Sequence, residues 1–209
     1  MFSYRSFIAV TVLSVGTAAP ATAQFVHDGG FQSGGLASVN YNPKSPTWAF
    51  VGGSGLIRGN NAEWRTPDRS EGQFAFLRTN ARHEKGEIST TIVLPASGLY
   101  SLSFLNSARQ GGCCGGNTLF DVFLGNTEIG EFSTHTGDGW SAKGTTFTAN
   151  AGTYTLRFLT QTRLPGDNTA FIDNVSVDVV TTPEPASLAL FATGLFSLAG
   201  ISARRKRQG

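Results

Sequence analysis

Along most of its middle the chain alternates apolar and polar residues with a period of two, the pattern of half-buried β-strands. Gly72–Arg78 (GQFAFLR) reads as a strand with Phe74 and Phe76 on one face. Ile88–Leu94 follows, closed by Pro95. In Gly98–Asn106, Leu99, Ser101, Ser103 and Leu105 alternate with Tyr100, Leu102 and Phe104. Thr118–Leu124 and Thr127–Phe132 flank Gly125-Asn126, a turn pair that predicts a hairpin. Three more strands are Gly144–Thr148, Gly152–Thr160 and Thr169–Val179. Tyr154, Leu156 and Phe158 are expected inward. Phe171, Asp173, Val175, Val177 and Val179 are expected on one shared face. Thr47–Val51 and Leu56–Arg58 are shorter strands upstream. No stretch between Gln24 and Thr181 has the helical period. Roughly eight to ten short strands with turn signals between them predict an all-β sandwich or barrel. Its first and last strands are expected close together. ISTTIVLPASGLYSLSF and KGTTFTANAGTYTLRFL share a strand, an Ala/Gly turn and a Tyr-centred strand, as two hairpins of one pattern would.

Two continuous apolar runs break the alternation, one at each end. Phe7–Gly16 follows Arg5 and has the length of a secretory core. Ala21-Thr22-Ala23 puts small residues (Ala21 and Ala23) where a signal peptidase reads, so cleavage is expected before Gln24. Ser187–Ile201 carries no charge. As a helix it reaches about 22 Å, against roughly 30 Å of bilayer hydrocarbon; Ala186–Ala203 reaches about 27 Å, a marginal span. Pro183-Glu184-Pro185 precedes this run, and Arg204-Arg205-Lys206-Arg207 follows it. The basic cluster is expected on the cytoplasmic side. Triplet, run and cluster in this order resemble the PEP-CTERM sorting signal. That resemblance implies an exosortase as partner, a transient inner-membrane anchor, and delivery to the cell surface or extracellular space. The expected division is a signal peptide at 1–23, a β-sandwich domain at 24–181, and a sorting signal with a single hydrophobic helix at 182–209.

This division changes the meaning of the charge. The two ends hold five of the 16 basic residues and one of the 14 acidic ones, so the middle keeps 11 against 13, a net −2. The basic balance of the whole chain belongs to its tail. No basic stripe remains for nucleic acid or anionic lipid.

The segments DGGFQ (Asp28–Gln32), ISTTIVLPASGLYSLSF, GTYTLRF and NTAFIDNVSV resemble a galactose-binding-like jelly roll, as found in carbohydrate-binding modules. The resemblance covers Phe25–Val179. It implies a jelly-roll β-sandwich of two antiparallel sheets, with sugar binding as its commonest activity. Such domains often open on an Asn-Gly-Gly-Phe-Glu type motif whose acid helps hold a structural calcium near the last strand. Here Asp28 and Gln32 stand in the outer positions, and the neutral Gln32 weakens such a site. Asp28 and Asp173 remain as its candidate ligands, and Asp173 reads equally as a buried carboxylate satisfied by backbone donors. No other cofactor is expected.

Sugar binding needs flat apolar platforms and a few planar polar groups. Trp48 lies among apolar residues and is expected in the core. Trp64, beside Glu63, Arg65, Thr66 and Pro67, is expected on a polar surface or loop. Trp140 follows Gly137-Asp138-Gly139 and is expected near a turn. At both places a ring either meets a ligand or covers a core edge. Arg65, Arg78 and Arg109 can hydrogen-bond sugar hydroxyls or carboxylates, or stand as solvated charges. The glycine-rich loop Ser107–Asn117 carries the adjacent Cys113 and Cys114. This pair can close only a small ring, remain as thiols, or pair with another chain. His27, His83 and His135 lack metal-ligand spacing, and no nucleophile elbow or phosphate loop occurs. The expected protein is a non-enzymatic surface or matrix component that binds glycan or exopolysaccharide. The alternatives are an adhesion protein without a defined sugar and, behind it, a glycan hydrolase.

Overall fold

A computed structural model describes residues 24–33, 38–68, 72–79, 85–111, 115–161 and 168–181. They form β1 (Val39–Tyr41), β2 (Trp48–Val51), β3 (Ser54–Arg58), β4 (Gln73–Thr79), β5 (Glu87–Leu94), β6 (Gly98–Ala108), β7 (Thr118–Leu124), β8 (Thr127–Thr134), β9 (Ser141–Ala149), β10 (Gly152–Thr160) and β11 (Asn168–Val179). No helix occurs among the described residues. A six-stranded sheet in the order β1-β3-β4-β11-β6-β9 faces a five-stranded sheet in the order β2-β5-β10-β7-β8. All strand pairs are antiparallel. The fold is the jelly-roll β-sandwich expected from the sequence. The two terminal segments, with the apolar runs and the sorting triplet, lie outside the described residues.

The inter-sheet core takes one parity from each strand except β11, where a bulge changes it. Leu102 and Phe104 of β6, Leu56 of β3, and Ala75 and Leu77 of β4 meet Phe50, Ile88, Ile92, Phe120, Val122, Leu156 and Phe158 from the other sheet. Phe104 makes edge-to-face contacts with Phe132 at 4.9 Å and Phe158 at 5.2 Å. Trp48 is buried here as expected, against Phe31 at 4.7 Å, with its Nε1 donating to the Asp28 carbonyl at 2.9 Å. The β7–β8 hairpin is also as expected: Leu124 pairs with Thr127, and Gly125 has φ 60° in the two-residue turn.

Three expectations change. Phe171 and Asp173 do not share a face with Val175 and Val177. A bulge between Asp173 and Ser176, with Asn174 at φ 50°, shifts the register of β11. Val175 and Val177 therefore point into the inter-sheet core, whereas Phe171 points out of the other face of the sheet. The two similar segments are not hairpins either, because β5 and β10 lie in one sheet and β6 and β9 in the other. Each is a corner where the chain changes sheets. The Tyr100 hydroxyl donates to the Ala96 carbonyl at 2.5 Å, and the Tyr154 hydroxyl donates to that of Asn150 at 3.1 Å. Finally, β1 is separated from β11 by two strands. It is the turn before β1 that meets the last strand, through Val175 N–H donating to Gly29 O at 2.9 Å.

Candidate functional site

β4 is buried on both faces. Ala75 and Leu77 enter the inter-sheet core, and Phe74 and Phe76 point the opposite way. There they join Ile57, Phe171 and Trp64 in a second aromatic cluster on the outer face of the six-stranded sheet, with Val39 and Trp140 packed against it. Loops following β3, β6 and β8 cover this cluster.

The β3–β4 loop is folded on itself. Asn60 takes φ 58° and Arg65 φ 46°. The Asn61 side-chain oxygen accepts from Trp64 N–H at 3.0 Å, and Asn61 N–H donates to the Thr66 hydroxyl at 2.8 Å. This cap turns Trp64 inward onto Phe76, with ring centroids 4.9 Å apart. Trp64 is thus 9% exposed: it stands in a loop, and its ring covers a core edge, the second of its two alternatives, without facing solvent. Arg109, after β6, is 4% exposed and lays its guanidinium 4.2 Å from the Trp64 ring centroid. It is a packed cation where a solvated or sugar-facing one was an alternative. Backbone bonds tie the loops: Gln110 N–H donates to Arg65 O at 3.1 Å, and Gly137 N–H to Arg109 O at 2.9 Å. The Asp138 carbonyl collects Ala108 N–H at 3.1 Å and the Ser107 hydroxyl and Gln110 amide at 2.9 Å.

Between these loops lies a cleft of about 900 Å³, lined by Asn60, Asn61, Ala62, Arg65, Thr66, Pro67, Asp68, Gln110, Gly139 and Trp140. Trp140 is half-buried, edge-on to Phe74 at 5.0 Å. Asn60, Arg65, Asp68 and Gln110 are exposed. An aromatic ring thus sits beside one cation, one carboxylate and amide groups. Of the four residues expected at a sugar site, Trp140 and Arg65 line the cleft, and Trp64 and Arg109 lie beneath it. Sequence reasoning missed Asn60, Asn61, Asp68 and Gln110. The turn dipeptide Asn60-Asn61 was the readable signal for the first two.

The remaining candidates are elsewhere. Arg78 donates to the Tyr41 hydroxyl at 2.6 Å. His135 sits 3.7 Å from Asp138, and both are solvent-facing. Asp28 accepts Gln32 N–H at 2.7 Å and Ser33 N–H at 3.0 Å. Asp173 is buried and accepts Asn174 N–H at 2.7 Å. Among the described residues no group of three His, Cys, Asp or Glu is placed to hold a metal ion. Cys113, Cys114 and His83 lie outside the described residues, as do the signal-cleavage residues before Gln24.

Residues 181–207 match the family model described as the PEP-CTERM protein-sorting motif. The chain carries that sorting motif. No curated protein matches the sequence. Several solved structures are similar to this chain. A family 61 carbohydrate-binding module in complex with beta-1,4-galactotriose is 16% identical, covering 66% of this chain and 97% of its own, at a TM-score of 0.46. The CBM22-1 xylan-binding domain from Paenibacillus barcinonensis Xyn10C is 17% identical, with 79% and 99% covered, at 0.48. An arabinose-bound α-L-arabinofuranosidase is 11% identical at 0.51, covering 77% of this chain and 27% of its own.

Proposed function

We propose that the protein is exported, sorted by an exosortase to the cell surface or extracellular matrix, and binds glycan there in the cleft between its three loops. The observation that carries the binding is Trp140 beside Arg65, Asn60 and Gln110. An indole face takes the apolar side of a pyranose, and planar polar groups take its hydroxyls. Asp68 is the one carboxylate in the cleft lining among the described residues, and glycoside hydrolysis ordinarily needs two. A glycan-array screen of the purified chain is the test. Retention of one glycan class, lost on Trp140→Ala, is the expected result; no retained glycan leaves the adhesion reading in its place.

The sorting reading rests on the matched motif. Protein recovered from the native envelope or matrix should lack Met1–Ala23 and everything after Pro183–Pro185, by intact mass. A major species still carrying Arg204–Arg207 contradicts it.

A further inference from the structure

We propose that the side-chain amide of Gln32 takes the place of a cation in the clasp between the N-terminal turn and the rest of the sandwich, making the fold independent of calcium. The resemblance to galactose-binding-like domains implies a structural calcium at this place. The residues present do not fit one. Calcium collects oxygen atoms, several of them charged. Here the oxygens of the N-terminal turn already face N–H donors, and the Oδ1 of Asp173, the other candidate ligand, accepts Asn174 N–H at 2.7 Å. The Asp28 carbonyl accepts Trp48 Nε1 and Phe31 N–H, both at 2.9 Å. The Gly29 carbonyl accepts Val175 N–H at 2.9 Å. The Phe31 carbonyl accepts Gln73 Nε2 at 2.6 Å. Both carboxylate oxygens of Asp28 accept backbone N–H groups.

The centre of the clasp is Gln32. Its Nε2 donates to Gly30 O at 2.5 Å and to Gln73 O at 2.8 Å. Carbonyl oxygens only accept, so the group between these two must be a donor or a cation. This settles which end of the amide points inward. The position is also shaped for the side chain: a Cβ on Gly72, which has φ 85°, would lie 2.8 Å from Gln32 Oε1. Gln32 Nε2 thus reaches the Gln73 carbonyl while Gln73 Nε2 reaches back to the Phe31 carbonyl, tying the turn to the start of β4. A carboxylate at 32 would instead present an oxygen to two carbonyls and require a cation between them.

Thermal melts of the full chain in mild detergent, with EDTA or with millimolar calcium, test this. The parent chain should melt at the same temperature in both, within about 1 °C. Gln32→Glu should melt several degrees lower in EDTA and recover in calcium. A parent chain that loses stability in EDTA and regains it with calcium overturns the proposal. So does a Gln32→Glu chain as stable as the parent in EDTA, or one that calcium does not restore.

Discussion

Two aromatic clusters stand among the described residues, and they are closed in different ways. The one around Phe104, Phe120 and Phe158 lies between two sheets, so rigid hydrogen-bonded strands wall it on both sides. The one around Phe74, Phe76 and Trp64 has a sheet on one side and loops on the other. The first is walled by strands of both sheets and contributes stability. The second lends its order to the loops above it, and those loops form the cleft. Burial on both faces of one sheet is therefore what turns a plain sandwich into a scaffold for a site.

The largest expected effect is in the first cluster. Phe104→Ala or Phe158→Ala should lower stability by about 3–5 kcal/mol, because sheets on both sides cannot collapse into the space. At roughly 2–4 °C per kcal/mol, thermal denaturation should read a fall of about 6–20 °C. Trp64→Ala should come next, at about 3 kcal/mol, since loops can relax partly into the gap. A melting temperature unchanged in Trp64→Ala would break the comparison, because the outer cluster would then be no core. Arg109→Met keeps the packed stem and removes the cation over the ring, an expected loss of about 1–2 kcal/mol in the same melts. Asn61→Ala removes the cap that turns Trp64 inward and should cost about 1 kcal/mol.

The two regions also differed in how far the sequence disclosed them. β6 and β10 read correctly because one face meets polar surroundings and the other the core, so alternation is visible, and β7 was read from the Gly125-Asn126 turn beside it. QFAFL in β4 and TAFI in β11 are apolar at both parities. Such runs are what a strand buried on both faces looks like, and they were the readable sign of a second cluster. The bulge in β11 was hidden, since a shift of one residue leaves composition untouched and moves every later side chain to the other face. Trp64 was left between ligand contact and core cover for a related reason. Its polar neighbours report that the loop is exposed, and only the Asn61 cap decides where the ring points. The cleft gathers residues from segments up to 80 positions apart, Asn60 to Trp140, and no local pattern encodes that meeting.

The smallest expected change in stability belongs to Trp140→Ala, and it should bring the largest change in binding. Losing about 60 Å² of apolar contact with a sugar corresponds to about 1.5 kcal/mol, or roughly tenfold in dissociation constant. Calorimetric titration of the parent and Trp140→Ala chains with the best glycan from the array, beside their melting curves, is the direct test. Binding weakened about tenfold or more with a melting temperature within a few degrees of the parent is the expected result. Equal affinity in the two chains would contradict a glycan site in this cleft.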